Sequence, residues 1–139
     1  MLSFKPKQVN KNLLLVLPGR TRDIVVSRFG LGKDSNKRTL ESIGQQYGIT
    51  RERVRQIENF ALNSIKKSSA YEAEKGSFNE MKDSVISLGG VLTEDDLLQT
   101  LSKDSSTQNH IHFLLVLGDD FERMKEDQHF NHRWCVDQD

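Results

Sequence analysis

Residues 38–67 read RTLESIGQQYGITRERVRQIENFALNSIKK, and the rest of the chain is best understood from this stretch. The pattern predicts a helix from Leu40 to Tyr47 with Thr39 as its N-cap, whose side-chain oxygen takes an otherwise orphaned backbone amide. Gly48 supplies the left-handed conformation that stops a helix sharply, and Ile49 fills the corner. Thr50 caps a second helix running from Arg51 towards Lys67. Leu40, Ile43, Gly44, Tyr47, Ile49, Val54, Ile57, Ala61 and Ile65 supply the apolar and small positions, with Gly44 where the helices cross closely. Turn, crossing residue and both apolar faces agree on a helix-turn-helix.

The second helix turns Val54, Ile57, Ala61 and Ile65 inward and leaves Arg51, Glu52, Arg55, Gln56 and Asn59 on the opposite side. In such a motif the first turns of the second helix enter the major groove of double-stranded DNA. Arginine can donate twice to guanine, glutamine can pair with adenine, and glutamate can accept from the cytosine amino group. Arg51, Glu52, Arg55 and Gln56 are therefore the candidate base readers. Arg28, Arg38, Thr50, Arg53, Lys66 and Lys67 are the candidate phosphate contacts, which fix docking register. The plainer alternative is a solvated helix face with no partner.

Charge supports the first reading. The 139 residues carry 20 Lys/Arg and 20 Asp/Glu, yet residues 1–76 hold 15 basic against 7 acidic side chains and residues 77–139 hold 5 against 13. The zero net charge is thus +8 cancelled by −8, which suggests a nucleic-acid-binding part joined to one with a different partner. The longest apolar runs, Leu13–Leu17 and Phe113–Leu117, are far short of a membrane span. The start, MLSFKPKQVNK, has no apolar signal core, and the single Cys135 fits a reducing cytoplasm.

Upstream, Gln8–Leu17 has helical spacing through Val9, Leu13, Val16 and Leu17. A further helix is expected from near Pro18 to Phe29, ended by Gly30, so that four helices up to Lys67 make a compact basic bundle. Residues 68–77 read as a linker or helix extension. From Phe78 the pattern restarts with a helix to Leu88, a short strand at Val91–Leu92, a helix after Thr93, and another from Thr107 to Leu117. Two strands, Phe121–Lys125 and Phe130–Val136, flank a turn at Glu126–His129. The expected fold is mainly α: a helix-turn-helix bundle over residues 1–67, then a small α+β winged-helix domain over 78–139.

RTLESIGQQYGITRERVRQIENFAL, with LPGRTRDIVVSRFGL before it, resembles region 4 of the sigma-70 family of RNA polymerase sigma factors. The resemblance covers about residues 13–67 and implies recognition of the minus-35 promoter element. It puts base reading at Arg51, Glu52, Arg55 and Gln56, and backbone contact more loosely at Arg28 and Arg53. It also implies that the earlier helices, around residues 13–31, dock on the flap of the polymerase β subunit. The promoter-melting domain of a full sigma factor has no counterpart in the dozen residues before the resemblance. Residues 78–139 resemble, by pattern, the HARE-HTH winged-helix group that includes the amino-terminal domain of the polymerase delta subunit. The carriers are FNEMKDSVISLGGVLTEDDLL and the terminal FERM and HRWCV segments.

The reading helix of that second domain, Thr107–Leu117, offers Gln108, Asn109 and His112 but no cation, so protein rather than DNA is its expected partner. His110, His112, His129, His132 and Cys135 lack metal-ligand spacing, and no nucleophile or phosphate loop accompanies the acidic pairs. No metal, cofactor or enzymatic activity is expected. The expected function is a cytoplasmic DNA-binding transcription regulator that reads a minus-35-like element and contacts RNA polymerase. The alternatives are a factor that binds the β flap and alters promoter choice, or the region 4 half of a split sigma factor.

Overall fold

The computed structural model describes residues 2–33, 35–88, 91–118, 121–124 and 133–136. It is mainly helical. Helices α1 (Pro6–Leu14), α2 (Gly19–Phe29), α3 (Leu40–Tyr47) and α4 (Arg51–Lys66) precede α5 (Ser69–Ala73) and α6 (Lys75–Ser87). Strand β1 (Val91–Thr93), helices α7 (Glu94–Leu101) and α8 (Ser105–Leu117), and strands β2 (Phe121–Met124) and β3 (Arg133–Val136) follow. The strands form an antiparallel sheet in the order β1-β3-β2, with Val91 opposite Cys135 and Phe121 opposite Val136. The expected turn at Glu126–His129, and the expected strand residues 125 and 130–132, lie outside the described residues.

Local chemistry sets most helix boundaries. The side chains of Thr39, Thr50, Ser68 and Asp104 accept the amides of Ser42, Arg53, Tyr71 and Thr107 at 2.9–3.2 Å. Each such cap contributes about 1 kcal/mol. Gly30 and Gly48 take the left-handed conformation, φ 68° and 70°, and close α2 and α3. Helix α1 starts earlier than expected, because Pro6 suits a first turn, and it stops at Leu14 rather than Leu17. The amides of Val16 and Leu17 reach back only three residues, to Leu13 and Leu14, tightening the chain before Pro18. Helix α8 begins at Ser105 instead of Thr107 because Asp104 caps it.

The first four helices do not close on themselves. A small core of Ile24, Ile43 and Val54 holds α2, α3 and the start of α4 together. A second, larger core joins Val9, Leu13, Leu17, Val25, Phe29, Ala61 and Ile65 from the first half to Tyr71, Phe78, Met81, Leu97, Phe113 and Leu117 from the rest. Residues 68–77 are a helical corner rather than an open linker: Ser68 starts α5, and Tyr71 is buried against Phe78 with ring centroids 4.9 Å apart. Helix α8 is the centre of the larger core. From His110 to Leu117 every side chain but the half-buried Val116 is buried, as befits a helix that is apolar nearly all round. It packs on α7 and β2 and also on α1 and α2.

Candidate nucleic-acid interface

The α3–α4 crossing fixes the site. A methyl group added to Gly44 would lie 2.6 Å from the carbonyl oxygen of Ile49, so only glycine lets the turn approach α3 this closely. The Ile49 amide donates to the Gly44 carbonyl at 2.9 Å and locks the turn. With Val54 and Ile43 fully buried below, the first turns of α4 project outward, and Arg51, Glu52, Arg53, Arg55 and Gln56 are all exposed.

Within that edge the side chains are already ordered. Arg55 grips Glu52 with two parallel bonds, Nε to Oε2 at 3.0 Å and Nη2 to Oε1 at 2.6 Å. The donated hydrogen bonds hold the Glu52 carboxyl below its ordinary range and raise the Arg55 guanidinium. Arg53 donates to Gln56 at 3.4 Å. The Nε/Nη2 fork of Arg55 is thus taken up by Glu52 in an exposed ion pair, which must open before that fork can donate to a base.

The expected phosphate contacts divide. Thr50 spends its hydroxyl on the cap of α4, leaving the helix N-terminus facing outward. Arg38 lies along α3, bonding the Ser42 carbonyl at 3.1 Å, its hydroxyl at 2.8 Å, and Gln46. Arg28 donates to the Arg38 carbonyl at 3.2 Å and pairs with Glu58 at 3.5 Å, so it ties α2 to α4. Burial outweighs that pairing and pushes the Glu58 carboxyl above its ordinary range. Lys66 and Lys67 end α4, about three to four turns from the exposed edge at residues 51–56.

The family model of sigma-70, region 4, matches residues 13–67. Residues 13–67 are a sigma-70 region 4 domain. Over 56 residues the chain is 45% identical to the RNA polymerase principal sigma factor HrdD of Streptomyces griseus, 40% of this chain and 17% of that protein. It is 46% identical over 56 residues to the sigma factor SigA of Microcystis aeruginosa, covering 40% of this chain and 13% of the relative. With RpoD of Helicobacter pylori the identity is 43% over 56 residues, 40% of this chain and 8% of the relative. The chain thus spans less than a fifth of the length of these relatives.

Outside the region 4 domain, the polar residues of α8 have other employment. Gln108 donates to the Ser102 carbonyl at 2.7 Å, Asn109 to the Gly30 and Ser35 carbonyls, and His112 is buried beside Phe29 and Lys37. His110 and His112 face different neighbours, Asn10 and Lys37, and no set of three metal-ligating side chains occurs among the described residues. No described helix is long and apolar enough to cross a membrane.

Phe60 is a feature that sequence reasoning passed over. It is 69% exposed on α4 and edges a cleft of about 660 Å³ between α2 and α4, whose rim carries Arg20 and Arg53. Arg20 stacks on Tyr47 at 5.2 Å. A large aromatic just off the Val54–Ile57–Ala61–Ile65 stripe was the available signal.

Proposed function

We propose that this protein is a non-catalytic, cytoplasmic transcription regulator whose region 4 domain reads a minus-35-like element in duplex DNA and contacts RNA polymerase. The observation that carries the reading is the exposed edge of Arg51, Glu52, Arg55 and Gln56 on a helix held by a glycine-tight crossing. The relatives supply the context: they are RNA polymerase sigma factors, matched over 56 residues. In this reading Arg53, the capped start of α4 at Thr50, and Lys66 and Lys67 set the register on phosphates, while Arg28 and Arg38 act from behind by bracing α2, α3 and α4.

Residues 78–139 contribute a winged-helix unit with a protein role. Its helix–strand–helix–helix–strand–strand order and three-stranded antiparallel sheet support that arrangement. Its would-be reading helix is α8, whose polar side chains are spent inside the molecule, and its −8 charge disfavours DNA phosphates.

Selection from random duplex DNA, run with and without bacterial RNA polymerase core enzyme, tests the function. One short motif enriched by the protein alone is the expected result. Polymerase binding without any motif would favour the alternative that the protein acts through the β flap alone.

A further inference from the structure

Helix α4 presents one large side chain to solvent that cannot hydrogen-bond. Among the described residues no large apolar side chain is more exposed than Phe60, at 69%. Val54, Ala61 and Ile65 beside it are fully buried, so the core is complete without the ring. At about 100° per residue, Phe60 lies about 40° round the helix from Gln56 and about 20° from Arg53, so the three form one stripe. They line the same cleft of about 660 Å³, with Arg20 on α2 across it.

The chemistry of the cleft selects its neighbour. Its apolar part is isoleucine, both charged groups at its rim are guanidinium, and none of the described residues that line it is acidic. Arg20 is held over the Tyr47 ring at 5.2 Å, and Arg53 donates to Gln56 at 3.4 Å. An anionic surface carrying an apolar feature fits such a place. A duplex resting on the edge at residues 51–56 passes over Arg53 and Gln56, and so covers the next turn of the same stripe. A protein seated in the cleft would compete with that duplex for both residues. In the major groove the apolar group that a base pair presents is the thymine C5-methyl. A phenyl ring has no donor or acceptor, so it distinguishes bases there only through that methyl.

We propose that Phe60 is a specificity-determining residue of the DNA interface, packing against a thymine methyl beyond the base pair read by Gln56. This rests on the promoter-reading function given above. Along α4 the ring stands about 6 Å from Gln56, and base pairs are about 3.4 Å apart, so its thymine lies about two base pairs further on. Covering one methyl group contributes about fourfold in affinity. The ring adds a base to the reading without adding a phosphate contact, so it leaves the salt dependence unchanged.

The test uses the full chain and the duplex it selects from random DNA. Each thymine is replaced in turn by deoxyuridine, which lacks only the methyl group, and binding is followed by fluorescence anisotropy. For the unmutated protein one replacement should weaken binding about fourfold, at a position within about two base pairs of the one whose preference Gln56→Ala relaxes. Phe60→Ala, at an exposed position, should melt as the parent does and bind the thymine and deoxyuridine duplexes equally. A methyl effect of undiminished size in Phe60→Ala overturns the proposal, as does the absence of any methyl effect in the unmutated protein. Either result leaves the promoter reading standing and the ring to a protein surface. If no motif is selected, with or without polymerase core enzyme, the promoter reading fails and this assignment with it. The deoxyuridine series on the unmutated chain depends on no variant's folding.

Discussion

Replacing Gly44 with alanine tests the crossing on which the DNA-reading edge depends. The new methyl would stand 2.6 Å from the Ile49 carbonyl oxygen and 3.4 Å from the Arg51 amide nitrogen, where 3.4 Å is the lower bound of ordinary contact. The turn must then retreat by about 0.8 Å, and that movement is backbone against backbone with no side chain able to swing aside. Overpacking of this kind costs about 1–3 kcal/mol, and alanine returns about 0.5–1 kcal/mol through its better helix propensity. A net loss of about 0–2.5 kcal/mol is expected, centred a little above 1, with the Ile49-to-Gly44 hydrogen bond strained or broken.

The control is Gly76, in α6, where an added methyl meets nothing within 4 Å, so alanine there should be neutral or stabilising. Urea unfolding of both variants gives the stability difference, and anisotropy on the selected duplex gives the functional one. Because the retreat tilts the start of α4, Gly44→Ala should also lose sequence discrimination beyond its loss of stability. A Gly44→Ala protein as stable as the parent and equally selective would refute the close-crossing argument.

Arg55→Ala should relax preference at one base pair by about tenfold or more in a repeat selection, leaving the rest of the motif unchanged. Glu58 titrates above its ordinary value in the folded protein, chiefly through burial, so the folded state holds its proton longer than the unfolded chain. Stability should therefore fall as pH rises from the ordinary 4.5 through the folded value, and thermal melts of Glu58→Gln should lack that decline. His110 shifts the other way: burial, with Lys7 nearby, depresses it below 6.5, against weaker support from Asp104. Its Nδ1 already faces the Asn10 amide donor, with Lys7, Lys11 and Arg22 around the adjoining cleft. Stability at that contact is present above 6.5 and is lost as pH falls through the folded value, so the protection factors of the α8 amides, corrected for the slower intrinsic exchange in acid, should fall as pH drops below 6.5.

The region 4 half was legible because its signals are local. Thr39, Gly48 and Thr50 punctuate the chain within a dozen residues, and the Val54–Ile57–Ala61–Ile65 stripe has one period. The exposed side of α4, with Arg51, Glu52, Arg55 and Gln56, followed from that stripe by subtraction. Arg28 and Arg38 were not legible in the same way, because a cation's sequence position says nothing of whether it meets Glu58 or a carbonyl before it meets a phosphate. The shared core was hidden for a similar reason. IHFLLVL announces a helix apolar on every side but not which second surface covers it, and Asn109 bridges to Gly30 and Ser35 across more than seventy residues.

Helix α4 is anchored in both cores. Its first half rests on the small core through Val54, and its second half rests on the larger core through Ala61 and Ile65. The exposed edge at residues 51–56 has its own anchors, Ile24, Ile43, Val54 and the Gly44 crossing, which lie outside the larger core. Sites without shared partners perturb each other little. Arg28 and Glu58 form a brace linking α2 to the middle of α4. Helix α2 links the same two cores, through Ile24 in the small one and Val25 and Phe29 in the larger, so α2 and α4 are both continuous ties between them.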